Sequence, residues 1–305
     1  MAAALAVMYA STVTAQDAGK AGPVQSGEAG TRLTLYGQVD RALLHASDGT
    51  SSGTFFVDNE NSSTRFGLKA EGSPTNAVTV GSVIEIEVVS NSSLEVSLPS
   101  DGSLGRATFN DRRLEVYGQS SRYGNLWLGQ GHTATDGVAE VDLTRTDVVT
   151  SSDVPDLAGG IRFDGSGPRI RDVYANMDGL DRDDRIRYDT PLWDGFRGSI
   201  SYVGGGAHDL AARYRGRYDR ATTLAAAIGY TNETGTRADN REQYVGSLSV
   251  RRNERWSGAV SIGTRNLNDA RDPVFYYAKL AYEQAGFFGV GRTVFAIDFA
   301  RANDI

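Results

Sequence analysis

From Arg32 onward, apolar and polar residues alternate with a period of two, and helical periodicity is nearly absent. Such alternation marks β-strands whose two faces meet different surroundings. In "LTLYGQV", Leu33, Leu35, Gly37 and Val39 share one face, while Thr34, Tyr36, Gln38 and then Asp40 share the other. In "TRFGLKAE", Phe66, Leu68 and Ala70 oppose Arg65, Lys69 and Glu71. Leu114, Val116 and Gly118 oppose Arg113, Glu115, Tyr117 and Gln119. The same reading holds for 196–203, 223–231, 256–264 and 292–300. Further strands are expected at 80–90, 125–131, 184–190, 208–217, 243–252 and 274–284. The thirteen windows define an all-β chain. Tight links at 120–124, 190–196, 217–222, 252–255 and 284–291 are interspersed with longer polar ones at 45–63, 91–108, 232–242 and 266–273. The connection 132–183 is by far the longest.

Which face is wet decides the function. In a soluble sandwich the apolar face points inward; in a membrane barrel it points outward. The seven clearest windows carry no charge on the apolar parity, which a soluble core would also enforce. Arg41 continues that parity and is expected at a rim or beside a bulge. Three features favour the inverted arrangement. The apolar faces mix Gly and Ala with Leu, Ile and Phe, and carry Tyr202, Tyr230, Trp256 and Tyr282 near strand ends, as an interfacial aromatic girdle does. Many windows reach the roughly 9–11 residues that cross a bilayer. A meander of thirteen long strands has no good soluble solution but closes as a wide barrel with a polar lumen. The expected fold is therefore a transmembrane antiparallel β-barrel over residues 32–305.

Composition excludes other classes. No run approaches the roughly 18 apolar residues of a spanning helix. The net charge of −7 and the lack of a basic patch argue against nucleic acid. With no cysteine, an exported fold would not rely on disulfides. The start "MAAALAVMYASTVTAQ" resembles the end of a secretory signal, with Val13-Thr14-Ala15 offering the small-residue cleavage pattern and no preceding Lys or Arg, so residues 1–15 read as a signal-peptide remnant whose true start lies upstream. Residues 16–31 read as a flexible lead-in. The three histidines, His45, His132 and His208, form no HExxH motif, and no GxSxG elbow occurs, so no enzyme is expected.

Four stretches together resemble Gram-negative general-diffusion porins: "LTLYGQVD" (33–40), "STRFGLKAEG" (63–72), "RRLEVYGQSSRYGNLWLGQG" (112–131) and "DDRIRYDTPLWDGFRGSISYV" (183–203). The resemblance runs from Leu33 to the end. It implies a 16-stranded homotrimeric outer-membrane barrel, embedded in lipid, for passive diffusion of small hydrophilic solutes and ions. It also implies a third loop, here 132–181, folded into the lumen. The family's Pro-Glu-Phe-Gly-Gly loop start and terminal Phe are absent, and about thirteen strands of sixteen are accounted for, so the C-terminal strands are expected to be missing.

In a pore, rate and selectivity follow from radius and field at the narrowest point. The wall parity supplies Arg65, Lys69 and Arg113, and the long loop supplies Asp136, Glu140 and Asp142. These six are the expected constriction, with a weak cation preference and no cofactor. The acidic run 178–184 offers several carboxylates to Ca²⁺ but lacks the spacing of an EF-hand, and it reads as an exposed loop tip. Two alternatives stand beside this reading. One is a substrate-specific channel for a sugar or anion, with Tyr36, Tyr117, Phe275 and Tyr277 as scattered pieces of an aromatic track. The other is a secreted soluble all-β binding module.

Overall fold

The computed structural model describes residues 7–14, 30–98, 100, 105–233, 242–266, 271–287, 289 and 291–303. Most of the expected lead-in, the first residues of the chain and parts of the links 91–108, 232–242 and 266–273 lie outside them. The described strands are β1 (Val7–Thr14), β2 (Thr31–Ser47), β3 (Ser52–Asp58), β4 (Arg65–Thr75), β5 (Val78–Val89), β6 (Thr108–Ser120), β7 (Gly124–His132), β8 (Arg182–Asp189), β9 (Phe196–Val203), β10 (His208–Arg217), β11 (Thr222–Asn232), β12 (Glu242–Arg252), β13 (Trp256–Asn266), β14 (Val274–Ala285) and β15 (Arg292–Asn303). Two short helices, α1 (Val154–Ala158) and α2 (Ile170–Val173), lie in the long connection between β7 and β8. No described helix is long and apolar enough to cross a membrane, which says nothing of strands.

All thirteen expected windows are strands. Two more join them. β1 lies inside the stretch read as an export-signal remnant and pairs with Gln38–His45 of β2. β3 lies inside the expected link 45–63.

The residues divide into two compact units, Met1–Gly118 with Val148–Ala175, and Gln119–Asp147 with Asn176–Ile305. In the first, the strand order is β1-β2-β4-β5-β6. β2 is 17 residues long and, besides β1, pairs with two strands: Thr31–Gln38 with β4, and Arg41–Ser47 with β3. Its far half turns Ala42, Leu44 and Ala46 into a small hydrophobic core with Phe55, Val57, Val96, Ala158 and Ile161. Apolar side chains thus occupy the otherwise polar parity beyond Asp40, because α1 and its neighbours cover that face. Arg41 stays on the outward parity and is ion-paired with Asp58, whose carboxylate also accepts the Ser90 and Asn91 amides at 2.6 Å each. That pairing satisfies the charge that β2 carries on its apolar face.

In the second unit, β7 to β15 form an antiparallel meander, each strand beside its chain neighbour. The turn between β12 and β13 puts Asn253 and Glu254 at φ of 52° and 54°, the left-handed pair that matches the twist of a tight hairpin.

In both units the apolar parity is exposed and the polar parity buried. Leu35 is 71% exposed and Ile228 66%, while Glu85, Glu115, Asp209, Gln243 and Lys279 are buried. Leu35, Phe66, Ile200 and Phe295, one from each of four windows, all lie on the exposed side. Water gives no reason to segregate charges this way; lipid does, since a cation at its midplane costs about 2–4 kcal/mol. Aromatic residues bound the apolar band in the second unit. Trp256 packs on Tyr282 (4.7 Å) and Phe196 on Tyr214 (4.6 Å) at the end of the short turns, and Tyr230 on Tyr244 (5.2 Å) at the other. Tyr244 and Arg252, the partner of Trp256, lie eight positions apart on β12. At about 3.3 Å per residue and a tilt of about 40°, that is about 20 Å along a membrane normal, close to the band of outer-membrane barrels.

Candidate functional site

The site is built where the long connection, 133–181, lies on the polar faces. Its first limb, 133–147, and its last residues, 176–181, belong to the second unit. The limb is held from both sides of its backbone. Arg187 of β8 and Arg213 of β10 donate to its carbonyls, and Arg185 of β8 holds the last residue of β7 just before it. Arg185 Nε reaches His132 O at 2.9 Å, and Arg187 Nη1 reaches Thr133 O at 2.7 Å. Arg213 reaches Ala134 O at 2.7 Å and Asp136 O at 2.6 Å. Asp209, also on β10 and fully buried, takes the amides instead: Thr135 N at 2.7 Å, Ala134 N at 3.3 Å and the Thr135 hydroxyl at 2.5 Å. Ser201 on β9 donates to the same carboxylate.

The limb then runs in a trough of small side chains. Val138 and Ala139 pack against Ala211, Ala227, Val245, Phe275 and Tyr277. Ser261 donates to Ala139 O at 2.5 Å, and the Leu143 amide donates to Ser249 at 2.9 Å. A Cβ on Gly229 would stand 2.9 Å from Thr135 Cγ2, so a larger residue there would push the limb away. The returning chain crosses at Gly179, φ +84°, where a Cβ would meet Thr135 Oγ1 at 2.0 Å; only glycine allows both that angle and that approach.

Asp142 is held by Lys279 at 2.9 Å, and the lysine side chain is fully buried. Asp136 accepts from or pairs with His132 Nδ1 at 2.5 Å. Burial pushes its carboxyl up, but His132, Arg182 and Arg187 outweigh this and hold it below the usual carboxylate range. Asp178 accepts the Gly137 and Ala139 amides at 2.5 Å each. Burial first, then the nearby Glu140 and Asp136, raise its carboxyl well above the usual range. Glu140 accepts from Asn176 at 3.1 Å. The loop trio Asp136, Glu140 and Asp142 is thus gathered on one limb, but each member already has a partner. Of the run 178–184, Asp178 turns onto the limb while Asp181 lies 3.5 Å from Arg182.

The wall trio sits in the first unit. Lys69 pairs with Glu71 at 2.8 Å and lies 5.6 Å from the Tyr117 ring. Arg113 pairs with Glu115, and Arg65 donates to Ser63 O at 3.3 Å. Arg112, which the alternation assigns to the apolar parity, reaches Glu85 at 3.0 Å and Glu87 at 2.8 Å. Consecutive residues therefore both reach acids of the polar face, and the alternation breaks there. Tyr36 donates to Glu85 at 2.9 Å and Tyr117 to Glu71 at 3.0 Å. Of the four aromatics considered for a solute track, these two hold carboxylates, and Phe275 and Tyr277 lie beneath the limb. The middle of the connection, 148–175, is tied to this unit by Asn59 Nδ2 on Val148 O at 2.7 Å and by Arg171 on Glu95.

Glu60, in the 3-10 turn after β3, is pushed up to about 7 by burial, with Glu87 and Asp58 adding to it against the Ser92 hydrogen bond and Arg112. Its folded value lies above its unfolded one. Its neutral form therefore favours the fold at low pH, and that contribution is lost as pH rises from about 4.5 through about 7. Glu60→Gln is expected to flatten the fall in stability across that window and to stabilise the protein above it. Urea unfolding of both proteins between pH 4.5 and 8 measures this; parallel curves would show that burial does not raise the Glu60 carboxyl in the fold.

The profile of the Gram-negative porin family matches residues 2–304. No curated protein matches the chain. Among solved structures, it is similar to an anion-selective porin from Comamonas acidovorans, at 16% identity and a TM-score of 0.55, covering 88% of this chain and 79% of that one. It is similar to OmpF of Salmonella typhi, solved with daunomycin, at 14% identity and 0.55, covering 90% and 79%. It is also similar to the trimer form of the outer-membrane protein OmpT of Vibrio cholerae, at 12% and 0.53, covering 90% and 79%. At such identities the likeness is one of fold.

Proposed function

The chain belongs to the Gram-negative porin family, outer-membrane channels for passive diffusion, and on that premise we propose that the clamped connection 133–181 and the charged polar faces set the size and field of its opening. Small hydrophilic solutes and ions pass; no bond is made or broken. The observation that carries this reading is the inverted hydropathy, with Ile228 and Leu280 outward and Asp209, Gln243 and Lys279 inward. A limb fixed by paired arginines and Asp209 is rigid enough to define an aperture. We assign Arg65, Lys69 and Arg113 to the wall of that filter, and Asp136, Glu140 and Asp142 to its loop. A homotrimer in outer-membrane lipid, the assembly described for the OmpT neighbour, belongs to the same reading.

The net charge of −7 supports a preference for cations, and the ion pairs keep it weak. Asp136 and Asp142 already face His132 and Lys279, so little uncompensated charge is left to act on a passing ion. In planar bilayers the protein is expected to give discrete current steps, with a cation-to-anion permeability ratio between about 1 and about 5 in a KCl gradient. A reversal potential of anionic sign would overturn the preference, and an absence of steps would overturn the channel.

A further inference from the structure

A second charged feature begins beside the last of the loop acids, Asp142, at the end of the short turns. A cavity of about 490 Å³ opens between the limb at Asp142–Asp147, the end of β10, the turn 217–222 and the turn after β12. Its origin is legible in "RYRGR": on β10, Arg213, Arg215 and Arg217 share the polar face at every second position. Arg213 is spent on the limb's carbonyls. Arg215 and Arg217 stand opposite Ala225 and Thr223 of β11, whose small side chains leave the space open. Arg220 joins from the turn, its carbonyl accepting from Arg217 at 2.8 Å.

The charges can be followed one by one. Of the other lining groups, Arg145 and Arg251 share Glu283 at 3.4 and 2.6 Å, Asp142 holds Lys279, and Glu254 lies 3.6 Å from Arg292. Among the described residues, Arg215 and Arg220 make no side-chain hydrogen bond or ion pair, and Arg217 makes one, to a neutral carbonyl. Among the described residues that line it, Asp147 is the acid without a paired cation. Three arginines against one carboxylate leave two positive charges on a cavity built by the sheet itself, and Arg145, Arg251 and Arg292 against Glu283 and Glu254 leave a third beside it. Guanidinium groups match phosphate oxygens in pairs, and several converging forks recognise a dianion better than a halide.

We propose that this cavity is a binding site for a dianionic phosphate group, free or carried by a small solute, gripped by Arg215, Arg217 and Arg220. The site rests on the channel reading for its use: short turns face the periplasm in outer-membrane barrels, so it would hold such a solute at the inner mouth. Weak preference among monovalent ions and capture of a dianion at one place are separate properties.

The test is calorimetric titration of the detergent-solubilised protein with inorganic phosphate, glucose 6-phosphate and, as controls, chloride and glucose. KCl conductance is measured separately in bilayers. Phosphate is expected to bind with a Kd of about 1 mM, with neither control binding. A tighter Kd for glucose 6-phosphate marks an ester as the ligand, and equal values mark phosphate itself. The triple variant Arg215→Gln, Arg217→Gln, Arg220→Gln should weaken binding at least about tenfold. Should it fail to fold, the triple Lys variant is expected to bind more weakly than wild type, having charge without the paired donors. Undetectable binding to the wild type, or equal binding by wild type and variants, overturns the site while KCl steps leave the channel reading standing. Binding without KCl steps does the reverse.

Discussion

Val260→Arg is expected to destabilise the folded protein in liposomes by about 2–4 kcal/mol, and Val274→Arg by no more than about 1 kcal/mol. The two positions carry the same residue on the same outward parity. Val260 pairs with Leu248 on β12 and Ala278 on β14, is half exposed, and lies four positions from Trp256 and four from Thr264. It therefore sits midway between the two aromatic rows. Val274 pairs with Thr264 at the far end of the band. In lipid, the cost of a cation depends on depth, and an arginine at Val274 can reach the headgroups where one at Val260 cannot. In water, both are surface positions, Val260 half exposed and Val274 partly so, where substitutions change stability by about 0.5 kcal/mol or less. A difference of at least 1 kcal/mol between the variants in urea titrations thus separates a lipid-facing sheet from a soluble one. Two equal, small effects would remove the basis for an outward apolar face.

The strands were legible because period-two alternation is local, and a membrane keeps it strict. All of the windows from 33–39 to 292–300 are strands for that reason. β3 was not legible: "SGTFFVD" runs Phe55-Phe56-Val57 without alternation, since Phe55 and Val57 pack on the covered core while Phe56 is exposed on the other side. Its pattern is set by α1 and its neighbours, about a hundred residues away in sequence. β1 carries a short apolar run whose composition matches an export signal, and pairing with β2 leaves no separate mark on that composition.

Of the candidate site, the acids were legible and their partners were not. Loop acids announce themselves by charge, so Asp136, Glu140 and Asp142 could be named. Their partners could not. Lys279 alternates like any other polar-face residue of its strand; what distinguishes it is that Asp142 lies within 2.9 Å, a contact across 137 positions. Arg112 was hidden for the opposite reason. Strict alternation puts it on the apolar face, and only the local break beside Arg113 lets it reach Glu85 and Glu87. Two-residue periodicity predicts which face a side chain takes, and at Arg112 the contacts with Glu85 and Glu87 depart from it.

Asp209→Ala is expected to have the largest effect on conduction of any single change in the second unit. The carboxylate accepts from the Ala134 and Thr135 amides, the Thr135 hydroxyl and the Ser201 hydroxyl, all buried. Hydrogen bonds to a charged group contribute about 1.5–3 kcal/mol each, and stripping the acceptor from buried donors costs about 3–5 kcal/mol together. Arg187 and Arg213 would still hold the carbonyls of Thr133, Ala134 and Asp136. The limb would lose its anchor on one side and keep it on the other, so it should sway without leaving the polar face. The expected signature is a rise in open-channel noise and a mean conductance shifted by up to about twofold, since current follows the width of the narrowest point. Asp209→Asn keeps one acceptor oxygen in the same place and should recover most of the quiet, single-level behaviour. Current traces of the Ala variant as quiet and as large as wild type, at unchanged resistance to urea, would mean that Asp209 does not hold the limb and that the aperture is set elsewhere.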